Sequence, residues 1–256
     1  MIAKSVFDAL GATVYMLGNE PNGLNVNGGV GCTHIEGLCN LVKSKGLDMA
    51  FAFDGDADRC IAVDECGNVV DGDAELYICA KNLKARGELN GNKIVATLMS
   101  NGGLQKSLAP LGVECVECAV GDRYVCEKMN ETGAVLGGEK SGHIVFSKLE
   151  NTGDGLVTAL QLMEIAVNEK STFSELLKGY KTLPQKEVNL KVKNKRGIEP
   201  YIKDIRAKII DKHGVRLVIR VSGTEELIRI MAECEDEKAC LEACAEAERE
   251  IKNLSL

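Results

Sequence analysis

The sequence predicts an α/β protein. Two consecutive α/β units, the first of them short, precede a small α+β domain with a mainly antiparallel sheet. Three observations carry this reading. Strand-like and helix-like apolar spacings alternate from Asp48 to Asn168. A composition change at Thr182-Leu-Pro-Gln185 closes that alternation. Beyond it, strand-like runs at 187–192, 216–221 and 227–232 interleave with two helices. The expected domains are therefore 1–68, 69–182 and 183–256.

In chain order, Ile2, Val6 and Leu10 fall at helical spacing, with Gly11 as the stop. Ala12 to Leu17 reads as a strand. An Asn/Gly-rich stretch runs to Cys32, and Thr33 with Glu36 spells a capping box before a helix that ends near Gly46. A strand at 48–53 leads into an acidic loop, and a hairpin is expected around Glu65-Cys-Gly-Asn68. Asp71 or Asp73 caps a helix to about Arg86. Strands 93–99 and 113–120 then alternate with helices 104–111 and 123–129. Further helices are expected at 155–168, 173–179 and 200–212, and from Lys238 onward.

Composition narrows the function. The 256 residues carry a formal net charge of -7 and no long basic run, which argues against a nucleic-acid partner. No apolar run is long enough to span a bilayer, and Lys4 and Asp8 interrupt any signal-peptide pattern. A cytoplasmic protein is expected. The eleven cysteines are odd in number and scattered, as free thiols in a reducing compartment would be. Cys115 and Cys118 form the one C-x-x-C, but on a strand they face opposite ways and chelate poorly.

The chemistry centres on Phe53-Asp-Gly-Asp-Ala-Asp-Arg59. Asp54, Asp56 and Asp58 repel one another unless a cation sits among them, and hard divalent ions favour such oxygen ligands. Arg59 adds a fixed positive charge suited to an anion such as phosphate. Three other readings compete. A solvated Asp/Gly turn is common. A calcium loop of the EF-hand kind needs Gly where Arg59 stands. A phosphatase with a nucleophilic aspartate needs a downstream Lys and acidic pair that the sequence does not present.

Three more loops carry chemistry. Gly138-Glu-Lys-Ser-Gly-His143 sets Glu139, Ser141 and His143 on a glycine-flanked loop, a set able to hydrogen-bond sugar hydroxyls. His143 is also suited to proton transfer near neutral pH. Arg220-Val-Ser-Gly-Thr224, with Arg229 after it, offers guanidinium, hydroxyl and backbone N–H donors to a phosphate, through Arg220, Ser222, Gly223 and Thr224. Val120-Gly-Asp-Arg-Tyr124 places Arg123 at a helix start, where anions are favoured, although a capping aspartate and a surface arginine explain it equally well.

Taken in this order, these loops resemble the α-D-phosphohexomutase superfamily. Glu20-Pro-Asn-Gly-Leu-Asn-Val-Asn27, Thr152-Gly-Asp-Gly-Leu156 and Arg220-Val-Ser-Gly-Thr-Glu-Glu-Leu-Ile-Arg229 share in the likeness, which covers essentially the whole chain. The resemblance implies transfer of a phosphoryl group between C6 and C1 of a hexosamine phosphate, through a phosphoserine and a glucosamine 1,6-bisphosphate intermediate. It implies Mg²⁺ on Asp54, Asp56 and Asp58, with Arg59 beside the phosphoryl group. Glu139, Ser141 and His143 would read the sugar. Arg220, Ser222, Gly223, Thr224 and Arg229 would hold the phosphate that does not react.

The sequence also departs from that pattern. The phosphoserine loop, of the Ala-Ser-His-Asn-Pro type, does not occur. The reading expects the family's first domain and the front of its second to be missing, the chain to lack turnover alone, and a separate N-terminal half to be a candidate partner. Lys140 stands where Gln is usual, and Val221 and Glu226 replace prolines of the phosphate loop.

Overall fold

The computed structural model describes residues 2–192, 194–223 and 226–254. The chain forms two compact units. One comprises 1–100 with 104–181, the other 101–103 with 182–256.

The first unit opens on α1 (Ile2–Ala9) and α2 (Glu36–Lys45). Three strands follow, β1 (Ala50–Phe53), β2 (Cys60–Val63) and β3 (Val69–Val70), in an antiparallel sheet ordered β1-β2-β3. Phe53 pairs with Cys60. The acidic loop is thus the connection between two antiparallel strands. Two local expectations fail. Residues 12–16 form no strand, because among the described residues nothing offers them a ladder. Glu36 is the first helical residue of α2 rather than its third, so no side chain caps that helix.

Helix α3 (Gly72–Ala85) is buried from Gly72 to Ala80, and the Asp71 side chain caps it by accepting from the Ala74 N–H at 3.1 Å. Next come β4 (Lys93–Thr97), α4 (Gly102–Leu108), β5 (Glu114–Cys118), α5 (Asp122–Thr132), β6 (Leu136–Gly138), β7 (Ile144–Phe146), α6 (Gly155–Glu169) and α7 (Phe173–Leu176). The sheet order is β5-β4-β6-β7, with β5 and β6 parallel to β4 and β7 antiparallel to β6. The β6–β7 hairpin was not expected. It carries the Glu139–His143 loop at its tip. Leu76, Ile78, Ile94, Leu136, Leu162 and Phe173 fill the core between helices and sheet.

The second unit holds β8 (Gln185–Lys191), the short α8 (Lys195–Ile198), α9 (Ile202–His213), β9 (Arg216–Val221), β10 (Leu227–Glu233) and α10 (Glu237–Asn253). Its sheet is antiparallel, ordered β8-β10-β9, as the sequence predicts. Ile209, Leu217, Ile228 and Ile230 pack with Cys240 and Cys244 of α10, which act as small apolar groups. All eleven cysteines are free thiols. Among the described residues no helix is long and apolar enough to cross a membrane.

Candidate functional site

The acidic loop is held in shape by its own backbone and by two glycine-rich segments of the same unit. Ala57 adopts a left-handed φ of 60°, and its N–H donates to the Asp54 carbonyl at 3.2 Å. The turn brings ligand oxygens of Asp54, Asp56 and Asp58 within 4.8 Å of one another. The Arg59 N–H donates to Asp54 Oδ1 at 3.3 Å, while the Arg59 guanidinium lies 3.8 Å from Asp54 Oδ2 and stays largely exposed. On one side the loop meets the Asn/Gly-rich stretch: a Cβ on Gly55 would lie 2.5 Å from Val26 Cγ1.

Electrostatically the loop is under tension. Partial burial, and then the charge of Asp58, push the Asp54 carboxyl above the usual carboxylate range. Asp58 Oδ1 is buried with no hydrogen-bond partner. Clustered carboxylates, one raised and one with an orphaned oxygen, fit a hard divalent cation.

The β6–β7 tip sits directly against this loop. The Cys60 N–H donates to the Gly142 carbonyl at 3.0 Å, and any side chain at Gly142 would collide with the Cys60 carbonyl. The Gly72 N–H donates to the Lys140 carbonyl at 3.1 Å, so the start of α3 fixes the tip from the other side. Within the tip, Glu139 Oε1 accepts from the Gly121 N–H at 3.0 Å and Oε2 from the Ser141 hydroxyl at 3.2 Å. His143 is buried, and its Nδ1 lies 3.0 Å from Asp58 Oδ2. That contact joins the two loops that the sequence analysis treated separately.

Thr152-Gly-Asp-Gly-Leu156 closes the arrangement. The Gly155 N–H donates to the Ala57 carbonyl at 2.9 Å, and Gly155 packs so close to the Arg59 carbonyl that a Cβ would clash. A Cβ on Gly153 would lie 2.5 Å from Cε1 and Nε2 of the His143 ring, so only glycine fits there. Asp154 caps α6 through the Leu156 and Val157 N–H groups at 2.8 and 3.0 Å. Reasoning from residue types alone gave these glycines no role. Their one signal was a Gly-x-Gly immediately before a helix.

Arg123 follows Gly121, whose N–H donates to Glu139 Oε1. It is on α5, its side chain 80% exposed, and it donates to Glu127 at 2.8 Å, an ion pair that raises its already high pKa. In the second unit, Arg220 on β9 and Arg229 on β10 are directly opposed across the ladder. Ser222 is buried beside them in sequence, its N–H donating to the Leu227 carbonyl at 3.0 Å, and Gly223 is exposed. Thr224 lies outside the described residues.

The chain thus combines a tri-aspartate turn clamped by a glycine-rich hairpin with a separate antiparallel domain. Comparison agrees along nearly the whole chain. Family models match residues 2–67 (phosphoglucomutase/phosphomannomutase, alpha/beta/alpha domain II), 71–183 (alpha/beta/alpha domain III) and 187–251 (C-terminal domain). The chain belongs to the phosphoglucomutase/phosphomannomutase family. More particularly, it is 46% identical over 245 residues to phosphoglucosamine mutase of Lachnoclostridium phytofermentans and 48% identical over 245 residues to that of Geobacillus kaustophilus. Each alignment takes in 93% of this chain and 54% of the relative, so the chain spans about half the length of the curated relatives it matches. Among solved structures it resembles a phosphoglucomutase/phosphomannomutase family protein of Burkholderia thailandensis, with a TM-score of 0.78 at 25% identity, covering 98% of this chain and 57% of that one. An Aspergillus fumigatus N-acetylphosphoglucosamine mutase, solved with GlcNAc-6P and magnesium, shares the fold with a TM-score of 0.70 at 20% identity, over 89% of this chain and 53% of that one.

Proposed function

We propose that these residues form the metal- and phosphosugar-binding part of a phosphoglucosamine mutase, which interconverts glucosamine 6-phosphate and glucosamine 1-phosphate through a glucosamine 1,6-bisphosphate intermediate. The observation that carries the proposal is the Asp54–Asp56–Asp58 cluster with Arg59 beside it, in a chain nearly half identical to such mutases. Asp54, Asp56 and Asp58 would hold Mg²⁺, which supplies charge neutralisation at a phosphoryl oxygen. Arg59, loosely paired and exposed, has a guanidinium fork left to grip that phosphoryl group. Glu139 and Ser141, already hydrogen-bonded to each other, would present a fixed acceptor and hydroxyl to the sugar.

In the second unit, Arg220 and Arg229 are opposed across one ladder, and a guanidinium is suited to grip two phosphate oxygens at once. Arg220, Arg229, Ser222, Gly223 and Thr224 are the proposed phosphate holders, and Arg123 is a weaker candidate. The division at 68/69 and 182/183, a cytoplasmic setting and a phosphoserine on a segment outside these 256 residues belong to the same proposal. The family models also admit glucose and mannose phosphates as substrates.

The test is a coupled mutase assay with Mg²⁺ and bisphosphate activator. It uses the chain alone and the chain supplied with the phosphoserine-bearing half of a relative, offering glucosamine, glucose and mannose 6-phosphates in turn. Turnover of the glucosamine ester in the supplemented sample only, lost in Asp58→Asn, is expected. Turnover by the lone chain, or turnover indifferent to Asp58, overturns the proposal.

A further inference from the structure

Two sulfurs of the second unit lie within reach of one another. Cys234 follows the last residue of β10, and Cys240 stands in the first turn of α10. Strand passes to helix between them, and the chain folds back so that the two side chains meet. Cys234 Sγ is 3.2 Å from Cys240 Sγ. A disulfide joins its sulfurs at about 2.0 Å, so closing the bond takes an approach of about 1.2 Å.

Both residues are held where they meet. The Pro184 carbonyl accepts from the Cys234 N–H at 3.3 Å, and Cys240 Sγ lies 3.5 Å from the same oxygen. The Cys234 thiol donates to the Asp236 carbonyl at 3.0 Å, on the residue whose side chain caps α10. The two cysteines differ in access: Cys240 is buried and Cys234 half-buried. Burial, and then the hydrogen bond with Cys234, push the Cys240 thiol up to about 12, so it stays protonated at neutral pH. An oxidant from solvent therefore meets Cys234 first, and Cys240 is placed to resolve what forms there. In a reducing compartment such a pair closes transiently.

We propose that Cys234 and Cys240 form a modification site for hydrogen peroxide, which closes a reversible disulfide between the end of β10 and the start of α10. The Cys234 thiolate attacks the peroxide and the O–O bond breaks. Cys234 becomes a sulfenic acid, and the departing hydroxide takes up the proton that Cys234 gave up. Cys240 Sγ then attacks Cys234 Sγ, the S–O bond breaks, and the Cys240 proton leaves with that oxygen as water. Two electrons pass from the two sulfurs to the peroxide, whose oxygens both end as water. The site stands at the end of β10 opposite to Leu227, away from the proposed phosphate holders at the start of that strand.

The test is tryptic peptide mapping of the full chain after hydrogen peroxide, with the remaining thiols blocked by N-ethylmaleimide. Lys238 separates the two cysteines, so trypsin puts Cys234 on 230–238 and Cys240 on 239–249, and only a disulfide holds those peptides together. The second peptide also carries Cys244, and a Cys244→Ala chain removes that ambiguity. Exposed Cys66 gauges the dose. At the dose that consumes it, most of Cys234 is expected in the linked pair, in the parent and in Cys244→Ala alike, and dithiothreitol is expected to return both thiols. In Cys240→Ala, Cys234 is expected to run on to the sulfinic acid about tenfold more than in the parent. Cys234 recovered as the blocked thiol at that dose, linked to Cys244 instead, or overoxidised equally with and without Cys240, overturns the proposal. The first two outcomes are read on the parent chain, so a variant that fails to fold leaves the test intact.

Discussion

Each unit sets a carboxylate against a histidine, and the two pairs are finished differently. In the second unit, Glu246 Oε2 accepts from Lys212 Nζ at 2.6 Å and from His213 Nε2 at 2.9 Å. Those hydrogen bonds, from His213 first and then Lys212, hold its carboxyl down at about 2. In the first unit, Asp58 accepts from His143 through one oxygen while the other is buried and unpartnered, and burial together with Asp58 raises the neighbouring Asp54. A carboxylate and a histidine make a tie with two donors on one oxygen in one place, and leave a buried oxygen unpartnered in the other. Acceptor capacity left unfilled inside a fold costs free energy. A turn that retains it supports the proposed cation site.

Predictions that sharpen this contrast run from large to small. Mg²⁺ at a hundredfold excess over its Kd stabilises what it binds by about 2.7 kcal/mol. Amide exchange in β2 should therefore slow when Mg²⁺ is added while exchange in β10 does not, and equal slowing in both would erase the distinction. Glu246→Ala strips the acceptor from Lys212 and His213 and should cost about 1–3 kcal/mol in urea unfolding without altering metal affinity.

The signs of pH dependence also oppose one another. Because the folded-state value of Glu246 lies below its ordinary 4.5, its contribution is complete above pH 4.5 and is lost as pH falls toward 2. Glu75 of α3 is the converse. It is fully buried, accepts from the Ala62 N–H at 3.1 Å, and burial raises it well above 4.5. The stability of the first unit tied to Glu75 is thus complete below pH 4.5 and declines as pH rises above it. Glu75→Gln, which keeps the acceptor and removes the titration, should flatten that decline in urea midpoints measured from pH 5 to 9. An unchanged slope would contradict this.

Local signals were legible where the physics is local. The carboxylate turn, the cap of α3, the helices after Asp154 and Asp236, and the antiparallel end of the chain all follow from spacing and capping residues. What sequence could not show depends on distant partners. Ala12 to Leu17 has strand-like residues, but pairing needs a neighbour, and residues 12–16 form no strand. Ile144–Phe146 became a strand because β6 was there to receive it. Thr33 and Glu36 match the capping pattern, yet α2 begins two residues too late to use it. The burial of His143 depends on Gly153 being able to approach its ring, a fact of packing that no motif spells out.

The central claim is that Asp54, Asp56 and Asp58 exist to hold one divalent cation. Calorimetric titration of the full chain with Mg²⁺, beside the Asp54→Asn/Asp58→Asn double variant, tests it most directly. A single binding event in the parent, absent from the double variant, is predicted. Identical heats from both proteins, or none from the parent, would contradict it.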